Sequence, residues 1–229
     1  MTTTNPRPGA PAAWSLLIAG PPGSGKTAFA LHLARRLGLR AVRKRPADLS
    51  GAPGGPAAAV AAAFLEARAK RALLLFDGVD DAAAERGVPL ADPAALDALL
   101  AGLDDQPLPV LCTADRCRGL DRALLRRFAA TVRLKALDRA GAERAFRHVL
   151  GCEPPGVLPD NLTVGDLAAV RHRRAVLGGG ADPRTLVAWL AERAEANGAG
   201  SRVIGFRGHR TEKAVVVEVE RGPARMRSA

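Results

Sequence analysis

The octapeptide GPPGSGKT, Gly20 to Thr27, restricts the fold of this chain more than any other stretch. It matches G-x-x-x-x-G-K-[ST] in full. It stands between an apolar run, WSLLIA at 14–19, and a segment with Ala28, Leu31, Leu33, Ala34 and Leu37 at helical spacing. In that order of strand, turn and helix the pattern acquires a physical meaning. Glycines let successive backbone N–H groups turn inward around an anion, and the helix N-terminus adds a favourable dipole. Gly20, Pro21, Pro22, Gly23, Ser24 and Gly25 thus form the expected phosphate cradle. Lys26 adds a positive charge for the β- and γ-phosphates of a nucleotide, and Thr27 a hydroxyl for Mg²⁺.

Further apolar runs follow at intervals that suit a parallel sheet. LRAVRK (39–44), ALLLFD (72–77), PVLCTA (109–114) and TVRLKAL (131–137) read as strands. Between them, AAAVAAAFLEARAKR is a strong helix former, and 93–104 carries Leu96, Leu99, Leu100 and Leu103 on one helical face. ADLSGAPGGP reads as a loop by composition. Alternating strands and helices predict an α/β domain, its sheet covered on both faces. Asp77 closes one apolar run, where a carboxylate can sit beside the loop and hold Mg²⁺ through water.

From Asp138 the pattern is helical only. Ala142, Ala145, Phe146, Val149 and Leu150 form one stripe, and Thr163 with Asp166 opens a second helix in the manner of a capping box. Asp182-Pro183 starts a third, and Asn197-Gly198 stops it. The expected organisation is a flexible leader (1–13), an α/β nucleotide-binding core (14–137), a small all-helical lid (138–203) and a charged tail (204–229) with one β-like run, AVVVEVE.

Bulk properties narrow the partners. The formal net charge is +11, yet only five of the 34 basic residues are lysine, the arginines are scattered, and no tyrosine is present for base stacking. Most of the excess reads as a GC-rich coding bias, which leaves nucleic acid as an alternative partner rather than the first one. Cys112, Cys117 and Cys152 match no zinc spacing, and Cys112 lies in an apolar run that suits a core. No run of 18 apolar residues spans a membrane, and the N-terminus has neither a basic start nor an apolar core. The expected compartment is the cytoplasm.

Four segments together resemble the AAA+ ATPases, and within them the AAA clade. They are GPPGSGKT, ALLLFDGVDD (72–81), TADRCRGLDRALLRRF (113–128) and LTVGDLAAV (162–170), and the likeness runs from residue 14 to about 205. The third is the most specific, similar to the clade's second region of homology with every step in register. The resemblance implies a P-loop NTPase fold, ATP and Mg²⁺ as cofactors in a cleft between core and lid, and ATP hydrolysis coupled to remodelling of a protein partner. It also implies a homo-oligomeric ring or an assembly with another AAA+ subunit. By the same likeness Asp115 takes the sensor 1 position, and Gly165 the small-residue turn that packs on adenine. Arg126 and Arg127 take the arginine-finger position, after LDRALL and at the far end of the domain from the loop. There an arginine serves a neighbouring subunit's γ-phosphate.

Three positions depart from that pattern. Gly78 stands where the family carries the glutamate that polarises the attacking water, and without a side chain it can neither accept a proton nor orient water. Asp115 replaces the usual asparagine; an ionised aspartate only accepts hydrogen bonds and repels phosphate, though it offers a substitute base. Neither Asp80 nor Asp81 has the register of the missing glutamate. The loop GAPGG (51–55) has no aromatic with which to grip a threaded polypeptide. The expectation is therefore an ATPase of low or assembly-dependent activity. A non-hydrolysing ATP-binding subunit stays open, as do a small-molecule P-loop kinase and a basic nucleic-acid-binding regulator.

Overall fold

The computed structural model describes residues 13–80, 92–198 and 218–221. Most of the expected leader, Asp81 and most of the expected tail lie outside the described residues.

The first compact unit holds the sheet. Its strands are β1 (Ser15–Ala19), β2 (Ala41–Lys44), β3 (Leu73–Asp77), β4 (Val110–Ala114), β5 (Ala130–Arg133) and β6 (Glu218–Arg221), in the spatial order β2-β3-β4-β1-β5-β6. The first five make the parallel sheet that the apolar runs predict. Leu17 pairs with Cys112, and Leu75 with Leu111. All four are fully buried, because strands covered on both faces have no wet side on which to place polar residues. Burial likewise pushes the Cys112 thiol well above its ordinary range. β6 takes up the last part of AVVVEVE.

The helices of this unit are α1 (Lys26–Arg36), α2 (Pro46–Ser50), α3 (Gly55–Lys70), α4 (Pro93–Asp105) and α5 (Arg122–Leu125). α3 packs on α4 at Gly102, where an added Cβ would fall 2.1 Å from the Phe64 ring. Phe64 in turn meets Phe76 of β3, with ring centroids 5.6 Å apart.

Two local expectations change. The segment read as a loop at 47–56 contains α2, because Pro46 starts the turn, the Asp48 carboxylate accepts the Arg45 backbone N–H at 2.9 Å, and Leu49 is buried. Composition weighed its glycines and prolines and overlooked that cap. The strand read at 131–137 ends at Arg133. Beyond it the Leu137 N–H bonds the Leu162 carbonyl at 2.7 Å, so that stretch belongs to the helical unit.

Among the described residues, the second compact unit groups Gly20–Gly25 with residues 133–198. Its helices are α6 (Arg139–Leu150), α7 (Val164–Val176) and α8 (Pro183–Gly198). Phe146, Leu162, Leu167, Leu186 and Leu190 fill its core with no exposed surface. Thr163 and Asp182 cap α7 and α8 as their sequence positions predict, and Asp138 caps α6 through the Gly141 N–H. At α7 the cap is buried: Asp166 accepts the Thr163 N–H at 2.9 Å and its hydroxyl at 2.7 Å, and Arg193 Nε donates to the same carboxylate at 3.0 Å.

Candidate nucleotide site

In the first unit four polar side chains converge at the carboxyl ends of β3 and β4 and the start of α1. Thr27 Oγ1 lies 2.8 and 3.1 Å from the two carboxylate oxygens of Asp77. The Thr113 hydroxyl donates to Asp77 Oδ1 at 2.6 Å and accepts the Gly78 N–H at 2.9 Å. From the neighbouring strand Arg43 Nε donates to Asp77 Oδ2 at 2.8 Å, and Arg43 Nη2 forms an ion pair with the same oxygen. Burial pushes the Asp77 carboxyl up, but hydrogen bonds from Thr113, Thr27 and Arg43, with the Arg43 charge, outweigh it and hold the group below its ordinary 3.8.

That direction has a consequence for acid stability. A carboxyl depressed in the fold contributes stability that is present above its unfolded value and lost as pH falls through the lower folded one. The Tm difference between wild type and Asp77→Asn is expected to be largest above about pH 4 and to close under more acid conditions. A difference that stays constant across this range would show that the Asp77 charge adds nothing to the fold.

Thr27 and Asp77 also fit a hard cation. They present a hydroxyl and a carboxylate within 2.8 Å of each other, the oxygen chemistry magnesium prefers. Among the described residues no group of three or more His, Cys, Asp or Glu could hold a metal. A magnesium ion here would rely on these two residues and on nucleotide phosphate oxygens, the usual division for Mg²⁺.

Lys26, the first residue of α1, reaches Asp115 just beyond β4: Nζ donates to Oδ1 at 2.6 Å. The turn that carries Asp115 is pinned, because Asp80 Oδ2 accepts the Arg116 N–H at 2.7 Å. Asp80 Oδ1 is buried and has no partner among the described residues. Gly78 has φ of +91°, a left-handed conformation that L side chains rarely adopt. Its N–H and that of Val79 both turn to the Thr113 carbonyl, at 3.2 and 2.8 Å. The missing glutamate is thus matched by a backbone shaped for glycine.

The two expected finger arginines part company. Arg127 is tied within its own unit, to Asp104 at 3.0 Å and to the Ala123 carbonyl at 3.2 Å. Arg126 closes α5, is exposed, and has no side-chain partner among the described residues.

In the second unit the loop backbone meets the start of α7. The Gly165 N–H donates to the Gly23 carbonyl at 2.8 Å, and a Cβ on Gly165 would come within 2.7 Å of Gly23 Cα. Only glycine allows that approach. Sequence reasoning singled out Gly165 but had no signal for Gly23 as its neighbour. It also passed over Arg43 and Thr113, whose relevance depends on which strands lie side by side.

A parallel sheet whose first strand runs into a glycine-rich loop and a Lys-Thr helix start, with an aspartate closing β3, defines a P-loop NTPase. The family model for the AAA proteins, "ATPase family associated with various cellular activities", matches residues 16–136, more than half of the chain. The chain belongs to that family. Among solved structures it is similar to the AAA domain of FIGL-1 in complex with ADP, at 22% identity and a TM-score of 0.52. That match covers 80% of this chain and 61% of the other. No curated protein sequence matches. No helix among the described residues is long and apolar enough to cross a membrane.

Proposed function

We propose that this chain binds ATP with Mg²⁺ through Gly20–Thr27 and hydrolyses it slowly, or only within an assembly, to remodel a macromolecular partner. The observation that carries the reading is the contact between Thr27 and Asp77, a hydroxyl and a carboxylate from distant segments held together at the helix start that follows the loop. In this reading the backbone N–H groups of Gly20 to Gly25 and the Lys26 ammonium bind phosphate oxygens, and Gly165 lies against the adenine. Thr27 and Asp77 would hold the ion, which neutralises charge on the β- and γ-phosphates when bound. The ADP complex of the FIGL-1 domain supports a nucleotide as the ligand class.

A second reading, a subunit that binds ATP without hydrolysing it, has its own support in the positive φ of Gly78. Phosphate release measured across protein concentration separates the two, since an assembly-dependent enzyme gains specific activity as it associates.

The trans-acting role falls to Arg126 rather than Arg127, because an arginine must be uncommitted in its own subunit to reach another's phosphate. Arg126→Ala is expected to keep ATP affinity and to lower turnover at high protein concentration by about 10³-fold or more. Arg127→Ala is expected instead to lower Tm, through lost contacts to Asp104 and Ala123. Unchanged turnover in Arg126→Ala would remove the assignment.

A further inference from the structure

We propose that Asp115 selects the nucleotide by the length of its phosphate chain, so that the site favours a nucleoside diphosphate over the triphosphate. This rests on the reading of Gly20–Thr27 as a nucleotide site and adds to it what that site prefers.

The argument starts from the lysine. In a phosphate loop the backbone N–H groups cradle the α- and β-phosphates, while the lysine reaches the β- and γ-phosphates. Here the Lys26 ammonium already donates to Asp115 Oδ1 at 2.6 Å. A third phosphoryl group must therefore enter where a carboxylate is already bound to the same ammonium. It shares the cation with that carboxylate and brings further negative charge up to it. A diphosphate leaves this position to Asp115 and draws chiefly on the loop backbone, so it meets little of that repulsion.

Two features keep Asp115 from stepping aside. Its pair with Lys26 is mostly shielded on the lysine side, where the side chain is only 11% exposed against 36% for Asp115. The next backbone N–H is anchored by Asp80 at 2.7 Å, which fixes the turn against the end of β3. Asparagine at this position would keep an oxygen for Lys26, lose the charge, and gain an N–H₂ group able to donate to a γ-phosphate oxygen. If Asp115 were instead a base for water, its replacement would lower turnover and leave the relative affinities alone.

The test is calorimetric titration of the full chain with ADP–Mg²⁺ and ATP–Mg²⁺, for wild type, Asp115→Asn and Asp115→Ser. Wild type is expected to bind ADP more tightly than ATP. Both substitutions are expected to move the ATP-to-ADP affinity ratio toward ATP by about tenfold or more, as removal of a neighbouring like charge does for other ionic equilibria. The wild-type ratio is itself decisive: a preference for ATP would overturn the proposal without any variant. A ratio that does not move in folded Asp115→Asn or Asp115→Ser would also overturn it while leaving the nucleotide site intact. Binding of neither nucleotide by wild type would overturn the site, and the selectivity with it.

Discussion

Saturating ATP–Mg²⁺, at about 100 times its Kd, is expected to raise the Tm of the wild-type chain by about 5–11 °C, and Lys26→Ala is expected to abolish the rise. The magnitude follows from linkage. A ligand that binds only the folded state adds ~2.7 kcal/mol at that concentration. For a chain of this size each kcal/mol moves Tm by roughly 2–4 °C. Removing the Lys26 side chain takes away the one fixed positive charge of the loop and leaves Asp115 without the ammonium that lies 2.6 Å from its Oδ1. A phosphate chain would then face an aspartate with no cation between them. Differential scanning fluorimetry with and without nucleotide is the measurement. The free Lys26→Ala protein serves as its own baseline, since the shift is read within each protein. An equal shift in the variant, or none in wild type, would rule out phosphate binding at this loop.

Gly78→Glu is expected to destabilise the protein by about 1–3 kcal/mol and to restore less than the full rate gain of a positioned base. A general base in place contributes about 10²–10⁴ in rate, and from sequence alone a glutamate at 78 looks like a simple repair. The backbone argues otherwise. At φ of +91° an L side chain is strained, and conformations of this kind cost about 1–3 kcal/mol each. The Gly78 N–H is also committed to the Thr113 hydroxyl at 2.9 Å, so relieving the strain by turning the peptide breaks a bond that helps orient Asp77. Thermal unfolding beside phosphate release separates the contributions. Gly78→Asn is a useful companion, since asparagine tolerates positive φ better than other L residues and adds no base. Wild-type stability together with the whole 10²–10⁴ gain would show that the strand end accepts a side chain and that the glycine is merely an omission.

Much of the architecture was legible because it is written in short-range pattern. Apolar runs of five or six residues bounded by turns identified β1, β3 and β4, and helical spacing identified α1, α4 and α6. The Thr163–Asp166 cap was readable because both partners lie within one turn. At 47–56 the reading failed for a related reason: α2 is only five residues long, and its cap was hidden in a stretch dominated by glycine and proline. The loop pattern pointed to Lys26 and Thr27, the end of an apolar run to Asp77 and the resemblance to Asp115, and the fold brings them together at the ends of β3 and β4. Their chemical roles await the experiments above.

The sequence by itself determined the loop, the strand that feeds it, the helix that leaves it and the family to which the chain belongs. The loop, strand and helix depend on residues near one another in the chain, where spacing alone carries the information; the family rests on the resemblance of four separate segments. Only the tertiary structure decided that Arg43 sits on Asp77 across 34 residues, that Lys26 is held by Asp115 across 89, and that Gly23 presses on Gly165. It also decided that Arg127 is occupied while Arg126 is exposed, and that position 78 is bent for glycine. Contacts at such separations follow from strand order and register. A backbone torsion follows from the hydrogen bonds its peptide finds. Neither leaves a periodic mark on the chain, and in this protein both act at positions of the proposed nucleotide site.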